Sequence, residues 1–262
     1  MGQRQPSSRR KFFRNSSLAV AGALGIPQIV SAAFGEAAEN FAGAGYKPLK
    51  LKKDAVILFQ GDSITDSGRK RDDTGYNNAG VLGNGYPVLV AAEMLLKYPS
   101  MGIRFFNKGI SGNKVYQLAE RWEKDCLELK PDVLSILIGV NDFWHKLNGN
   151  YDGTIQKYQD DLKALLERTK QALPAVQLVI GEPFAVAGIK AVDEKWYPAF
   201  NDYRAAAKEI ASGFGAIFIP YQAVFDKAQQ LAPGAYWTYD GVHPSLAGAK
   251  LMAQAWLQAV KA

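Results

Sequence analysis

Short, mostly apolar runs recur along the chain at 55–59, 103–107, 132–138, 176–180 and 216–219. Each has the length of a strand. Several are apolar at consecutive positions rather than alternate ones, the pattern of strands buried on both faces. Between them lie stretches with apolar positions three and four apart, which predict helices over 87–97, 151–172, 197–211 and 244–260. Pro87 and Pro244 suit first helical positions. Strands alternating with helices predict a three-layer α/β/α sandwich around a doubly wound, mostly five-stranded parallel sheet. Ligands in such sheets gather at the carboxyl ends of the strands. The loops after Phe59, Asn107, Ile138 and Ile180 are therefore where chemistry is expected. No internal repeat or low-complexity segment interrupts the alternation.

The first 50 residues read differently. Arg4, Arg9, Arg10, Lys11 and Arg14 precede a weakly apolar run, 18–33, that ends in Val30-Ser31-Ala32-Ala33. A basic start, a short apolar stretch and small residues form the anatomy of an export signal. Ser8-Arg9-Arg10-Lys11-Phe12-Phe13-Arg14 resembles the twin-arginine signal, which implies a bacterial protein exported folded, to the periplasm or beyond. The expected divisions are a signal at 1–33, an Ala- and Gly-rich leader at 34–50, and a single domain at 51–262. After cleavage no stable membrane insertion is expected, because the run is shorter than the roughly 20 residues a span needs.

The expected signal also explains the charge. Five of the 31 basic residues lie before residue 34 with no acid among them, which leaves 26 bases against 25 acids in the rest. The net charge of +6 is thus no sign of a nucleic-acid groove. At 262 residues and 48% hydrophobic, the chain can bury a full core. The one cysteine, Cys126, allows no internal disulfide and reads as a buried small hydrophobe.

Two histidines, His145 and His243, narrow the possible chemistry. A zinc site built on several histidines is nearly excluded, and no phosphate loop or dinucleotide fingerprint stands after a strand. No metal or cofactor is implied. His243 lies in Asp240-Gly241-Val242-His243-Pro244, where one tight turn could bring the carboxylate to the imidazole. A carboxylate on Nδ1–H would leave Nε2 free as a base. The same residues also suit a plain helix start. Ser63 follows the first strand in Phe59-Gln60-Gly61-Asp62-Ser63-Ile64-Thr65-Asp66, and a serine there needs such a base to become a nucleophile. It could equally cap a helix with Asp62. Gly109-Ile110-Ser111-Gly112-Asn113 and Gly139-Val140-Asn141-Asp142 end two further strands and offer backbone and amide donors.

Taken together and in order, these four blocks resemble those of the SGNH/GDSL hydrolase superfamily, from about Val56 to the C-terminus. The resemblance implies a doubly wound α/β/α fold, in agreement with the element order. It implies Ser63 as nucleophile, Asp240 and His243 as its partners, and an oxyanion hole of Ser63 N–H, Gly112 N–H and the Asn141 amide. Asp62, Asp142, Trp144 and Trp237 are expected to touch substrate. The connection from Ser67 to Tyr86 is long and should form one wall of the pocket. Its polar residues, including Arg69, Arg71, Asp72, Asp73 and Asn78, suit a hydroxylated ligand. Trp144, Trp196, Tyr197, Tyr236 and Trp237 could stack on sugar rings, although core positions are the commoner fate of such residues. His145 reads more readily as a packing histidine than a site residue. The expectation is an exported esterase that removes short acyl groups, acetyl above all, from a carbohydrate. The alternatives are a lysophospholipase, thioesterase or arylesterase of the same superfamily, or a non-catalytic carbohydrate-binding relative. Oligomeric state is open.

Overall fold

The computed structural model describes residues 25–39 and 48–261. Arg9 and Arg10 of the expected export signal, and residues 40–47, lie outside the described residues.

Five strands form one parallel sheet: β1 (Val56–Gly61), β2 (Arg104–Asn107), β3 (Val133–Leu137), β4 (Gln177–Gly181) and β5 (Ile217–Ile219), in the order β2-β1-β3-β4-β5. Every residue of β1, β3 and β5 is buried, as their largely apolar sequences lead one to expect. The helices are α1 (Ile26–Glu39), α2 (Ser63–Asp66), α3 (Ala79–Leu82), α4 (Tyr86–Lys97), α5 (Val115–Glu120), α6 (Trp122–Asp125), α7 (Val140–Leu147), α8 (Ile155–Ala172), α9 (Phe200–Gly213), α10 (Tyr221–Ala228), α11 (Gly234–Trp237) and α12 (Leu246–Val260). One layer holds α4, α10 and α12, and the other holds α5, α8 and α9. Two buried indoles are matched with hydroxyls in the core. Trp256 donates to Ser135 Oγ at 3.0 Å, and Trp122 to Thr169 Oγ1 at 2.9 Å, so neither N–H is buried without an acceptor.

The sandwich and its strands lie where the apolar runs place them. Helix starts differ, and capping explains two of them. Thr154 Oγ1 accepts from Lys157 N–H at 3.1 Å, so α8 begins at Ile155 rather than 151. Ser245 Oγ accepts from Gly248 N–H at 3.2 Å, so α12 begins at Leu246. Pro244 is therefore not at a first helical position; it bridges back to Thr238. Cys126 is buried, and burial pushes its thiol up to about 12.

Helix α1 lies against α10 and α12. Its buried residues are Ile29, Val30, Ala33 and Phe34, with Glu36 paired to Lys227 and Ser31 Oγ accepting from Gln258 at its rim. The leader boundary expected after Ala33 falls inside this helix. Among the described residues no helix is long and apolar enough to cross a membrane.

Candidate active site

The chain leaves β1 for β2 on one side and reaches β3 on the other, so the carboxyl end of β1 faces the crevice where the winding reverses. Ser63 stands there. Asp62 caps the turn, its Oδ1 accepting from Ile64 N–H at 3.0 Å, and Ser63 opens α2. The first N–H groups of a helix lack internal acceptors. Among the described residues nothing accepts from the Ser63 N–H.

Ser63 Oγ lies 2.8 Å from His243 Nε2, and His243 Nδ1 lies 2.6 Å from Asp240 Oδ2. The four-residue block makes this geometry locally. Asp240 Oδ1 accepts from Val242 N–H at 2.9 Å and from His243 N–H at 2.7 Å, closing a turn around the carboxylate. Gly241 sits at φ +95°, a conformation open to glycine at little cost. Burial works to raise the Asp240 pKa, but the bonds from the His243 backbone and ring and from Val242 N–H outweigh it and hold the carboxyl below its usual range. An ionised Asp240 accepts Nδ1–H and so selects the tautomer with a bare Nε2 toward Ser63.

The loop after β2 carries the glycines. A Cβ on Gly109 would meet the Asp66 backbone nitrogen at 2.5 Å, so only glycine lets this loop lie on the nucleophile turn. Gly112 sits at φ +81°, and its N–H has no acceptor among the described residues. Asn141, in the first turn of α7, donates from Nδ2 to Asn113 O at 3.2 Å, which ties the loop after β3 to the loop after β2. Its second amide hydrogen remains to donate elsewhere.

Ser63, Ser111 and His243 open on a cavity of about 650 Å3. Its lining includes Ser67, Gly68, Asn84, Gly85 and Tyr86 from the connection after α2, and Tyr239, Pro244, Ser245 and Leu246 from the segment around His243. The long connection therefore does form a wall, but through its two ends. Its charged middle is turned to structural work. Arg69 Nε donates to Gly109 O at 2.8 Å, Arg71 pairs with Asp66, and Asn78 caps α3. Asn77 donates to Ile103 O and accepts from Phe105 N–H, both at 2.7 Å, along the free edge of β2.

Three residues expected at the substrate are not available to one. Asp62 is 0% exposed, Asp142 1% and Trp237 5%. Burial pushes both carboxyls up to about 7, and each keeps one oxygen without a partner. Asp142 Oδ1 instead accepts from Val115 N–H at 3.2 Å, and the Trp237 indole donates to Ala232 O at 3.0 Å. Trp144 does reach the site, its ring centroid 6.3 Å from that of His243. Trp196 is core, and the Tyr197 hydroxyl donates to Ala185 O. His145 meets the Lys114 ammonium through Nδ1 at 3.1 Å, and burial together with that charge lowers its pKa. The residue that sequence reasoning missed is Tyr239. Half-exposed, it stacks on His243 and lines the mouth. Its only signal was adjacency to Asp240. Among the described residues no group of His, Cys, Asp and Glu could hold a metal ion.

Known proteins resemble this chain over most of its length. Residues 59–251 match the model of the GDSL-like lipase/acylhydrolase family. An acetylxylan esterase of Geobacillus stearothermophilus is 36% identical over 220 residues, covering 81% of this chain and 96% of that protein. A crystal structure described as a GDSL-like lipase from Parabacteroides merdae superposes with a TM-score of 0.81 at 50% identity, covering 82% of this chain and 99% of that one. The crystal structure of the Geobacillus acetylxylan esterase Axe2 gives 0.72 at 33%, covering 81% and 96%. Variants described as catalytic mutants of that esterase replace a serine, an aspartate or a histidine by alanine.

Proposed function

This chain belongs to the GDSL-like lipase/acylhydrolase family and is a carboxylic ester hydrolase, and we propose that it removes acetyl groups from carbohydrate by a Ser63-His243-Asp240 mechanism after export through a twin-arginine leader. The observation that carries the mechanism is the unbroken chain from Ser63 Oγ through the imidazole to the Asp240 carboxylate, at 2.8 and 2.6 Å. His243 Nε2 takes the Ser63 proton as Oγ attacks the ester carbonyl. The oxyanion is met by Ser63 N–H, Gly112 N–H and the Asn141 amide. His243 then gives its proton to the leaving sugar oxygen. Water, deprotonated by the same imidazole, attacks the acetyl-enzyme, and acetate leaves as Ser63 recovers its proton.

Two things support the substrate. One is the acetylxylan esterase among the relatives. The other is the cavity: Ser67, Asn84, Ser111 and Ser245 line it, with the Tyr239 ring at its mouth. The polar groups suit a hydroxylated ring, and Ile64, Leu246 and Ala249 on the same cavity leave room for a short acyl group. The export reading rests on Arg9, Arg10 and the apolar run behind them. The test is acetate release from acetylated xylooligosaccharides, followed by a series of p-nitrophenyl esters from acetate to octanoate. The expected result is activity abolished by Ser63→Ala and falling with acyl length. Preference for octanoate would overturn the substrate reading, and full activity in Ser63→Ala would overturn the mechanism.

A further inference from the structure

Asp66 ends the nucleophile turn α2 and is 2% exposed, yet it does not face the cavity. Its Oδ2 accepts from Ser111 N–H and from Ser111 Oγ, both at 2.9 Å, and pairs with Arg71. Burial works to raise its pKa, but the Arg71 and Ser111 bonds outweigh it and keep the carboxyl below its usual range, so it is ionised at neutral pH. Ser111 immediately precedes Gly112. One carboxylate oxygen therefore joins three pieces of chain: the turn carrying Ser63, the loop carrying Gly112, and, through Arg71, the connection whose ends form the cavity wall.

The neighbouring contacts hold this loop on both sides of Ser111 and Gly112. Gly109 is held by Arg69 on its carbonyl and Asn107 on its N–H, and Ile110 N–H is bound to Gly61 O at 3.0 Å. Downstream, Arg121 Nε holds Asn113 Oδ1 at 3.0 Å. Between these anchors lie Ser111 and Gly112. Ser111 is exposed, and Asn113 N–H donates to Ile110 O at 3.1 Å, closing a turn across the two residues with Gly112 at a positive φ. That bond shapes the turn, and the Ser111 N–H and hydroxyl bonds to Asp66 fix where the turn sits against the segment that carries Ser63.

We infer that Asp66 is a positioning residue for the oxyanion hole: by holding Ser111 it sets the direction of the Gly112 N–H relative to Ser63. This rests on the reading of Gly112 and Asn141 as oxyanion donors. Hydrogen bonds to a buried charge are stronger than neutral ones, and losing them lets the donor wander from the place where charge develops.

The experiment compares Asp66→Asn, Ser111→Ala and Asn141→Ala with the wild type. It reads kcat and KM on p-nitrophenyl acetate, corrected by active-site titration for the folded fraction, and the inhibition constant of phenylboronic acid. The boronate adduct on Ser63 mimics the tetrahedral intermediate. For Asp66→Asn the expected result is a kcat lowered about tenfold to a hundredfold, KM within twofold, and boronate binding weakened by a similar factor. Ser111→Ala keeps the backbone bond and loses the hydroxyl one, so it should show the same pattern at about threefold to tenfold; it decides the matter if Asp66→Asn does not fold. A raised KM with kcat and boronate binding unchanged would overturn the inference, because Asp66 would then shape only the cavity wall. Wild-type kcat per titrated site, with lowered thermal stability alone, would overturn it too. Asn141→Ala separates the two levels. If it weakens boronate binding while Asp66→Asn does not, only the positioning role fails; if neither weakens it, the oxyanion reading itself fails.

Discussion

The ring of Tyr239 lies flat over the imidazole of His243, centroids 5.6 Å apart and planes 8° from parallel. The base of the proposed mechanism is thus held on its Nδ1 edge by Asp240 and on one face by an aromatic that is itself 56% exposed at the cavity mouth. Stacked aromatic pairs contribute roughly 0.5–1.5 kcal/mol beyond the area they bury. Tyr239 can therefore serve both the imidazole and a sugar ring.

Replacing Tyr239 by Ala should separate these roles. KM for an acetylated xylooligosaccharide should rise about threefold to tenfold, while KM for p-nitrophenyl acetate, which has no sugar to stack, should change little. Tyr239→Phe should behave like the wild type on both. Steady-state kinetics on the two substrates check this, and equal KM increases on both would remove Tyr239 from sugar recognition.

Asp240→Asn should lower kcat on the order of ten-thousandfold with the fold intact. The amide can present an N–H to Nδ1 and so turn the imidazole to the wrong tautomer, with its proton aimed at Ser63. A fall in KM-independent turnover of less than tenfold would show that the carboxylate does not select the tautomer.

Asp62 and Asp142 lead to a prediction about stability rather than rate. Burial raises both carboxyls from 3.8 to about 7. Between about pH 4 and 7 the folded chain therefore keeps protons that the unfolded chain releases, and stability falls as pH rises through that window. Asp62→Asn cannot ionise and should lose its share of the slope. Its melting temperature relative to wild type should rise from pH 4 to about pH 7 and level off above that. The amide hydrogen placed where Oδ2 has no partner adds a cost that does not vary with pH. A constant difference across the range would show that Asp62 is not held protonated by the fold.

Particular residues mark how much of this was legible in the chain. Ala55-Val56-Ile57-Leu58-Phe59 announces a central strand because both of its faces must be covered, and that requirement is written in side-chain hydrophobicity alone. Asp240 and His243 are legible as a pair because a turn of four residues brings them together whatever surrounds it. Asp62 and Asp142 misled. A carboxylate in a motif beside a nucleophile looks like a contact for substrate, and whether it points into the cavity or into the core depends on which neighbours cover it. The charged middle of the 67–86 connection misled in the same way: Arg69 holds Gly109 O, 40 residues away along the chain, and Arg71 pairs with Asp66, whose other partner is Ser111 in the same loop as Gly109.

The sequence by itself determined the layered sheet, the strand ends that hold the chemistry, and the local turn of Asp240 and His243, because hydrophobic periodicity and short-range turn geometry act between near neighbours. Only the tertiary structure decided that Ser63 meets His243 across 180 residues, that Tyr239 caps the imidazole, and that Asp66 holds Ser111. The first and last of those contacts join segments far apart along the chain, and the middle one depends on how the loop before α12 is folded. They arise from the parallel register and the packing of α12 beside α4, which follow from the fit of whole surfaces rather than from any one segment.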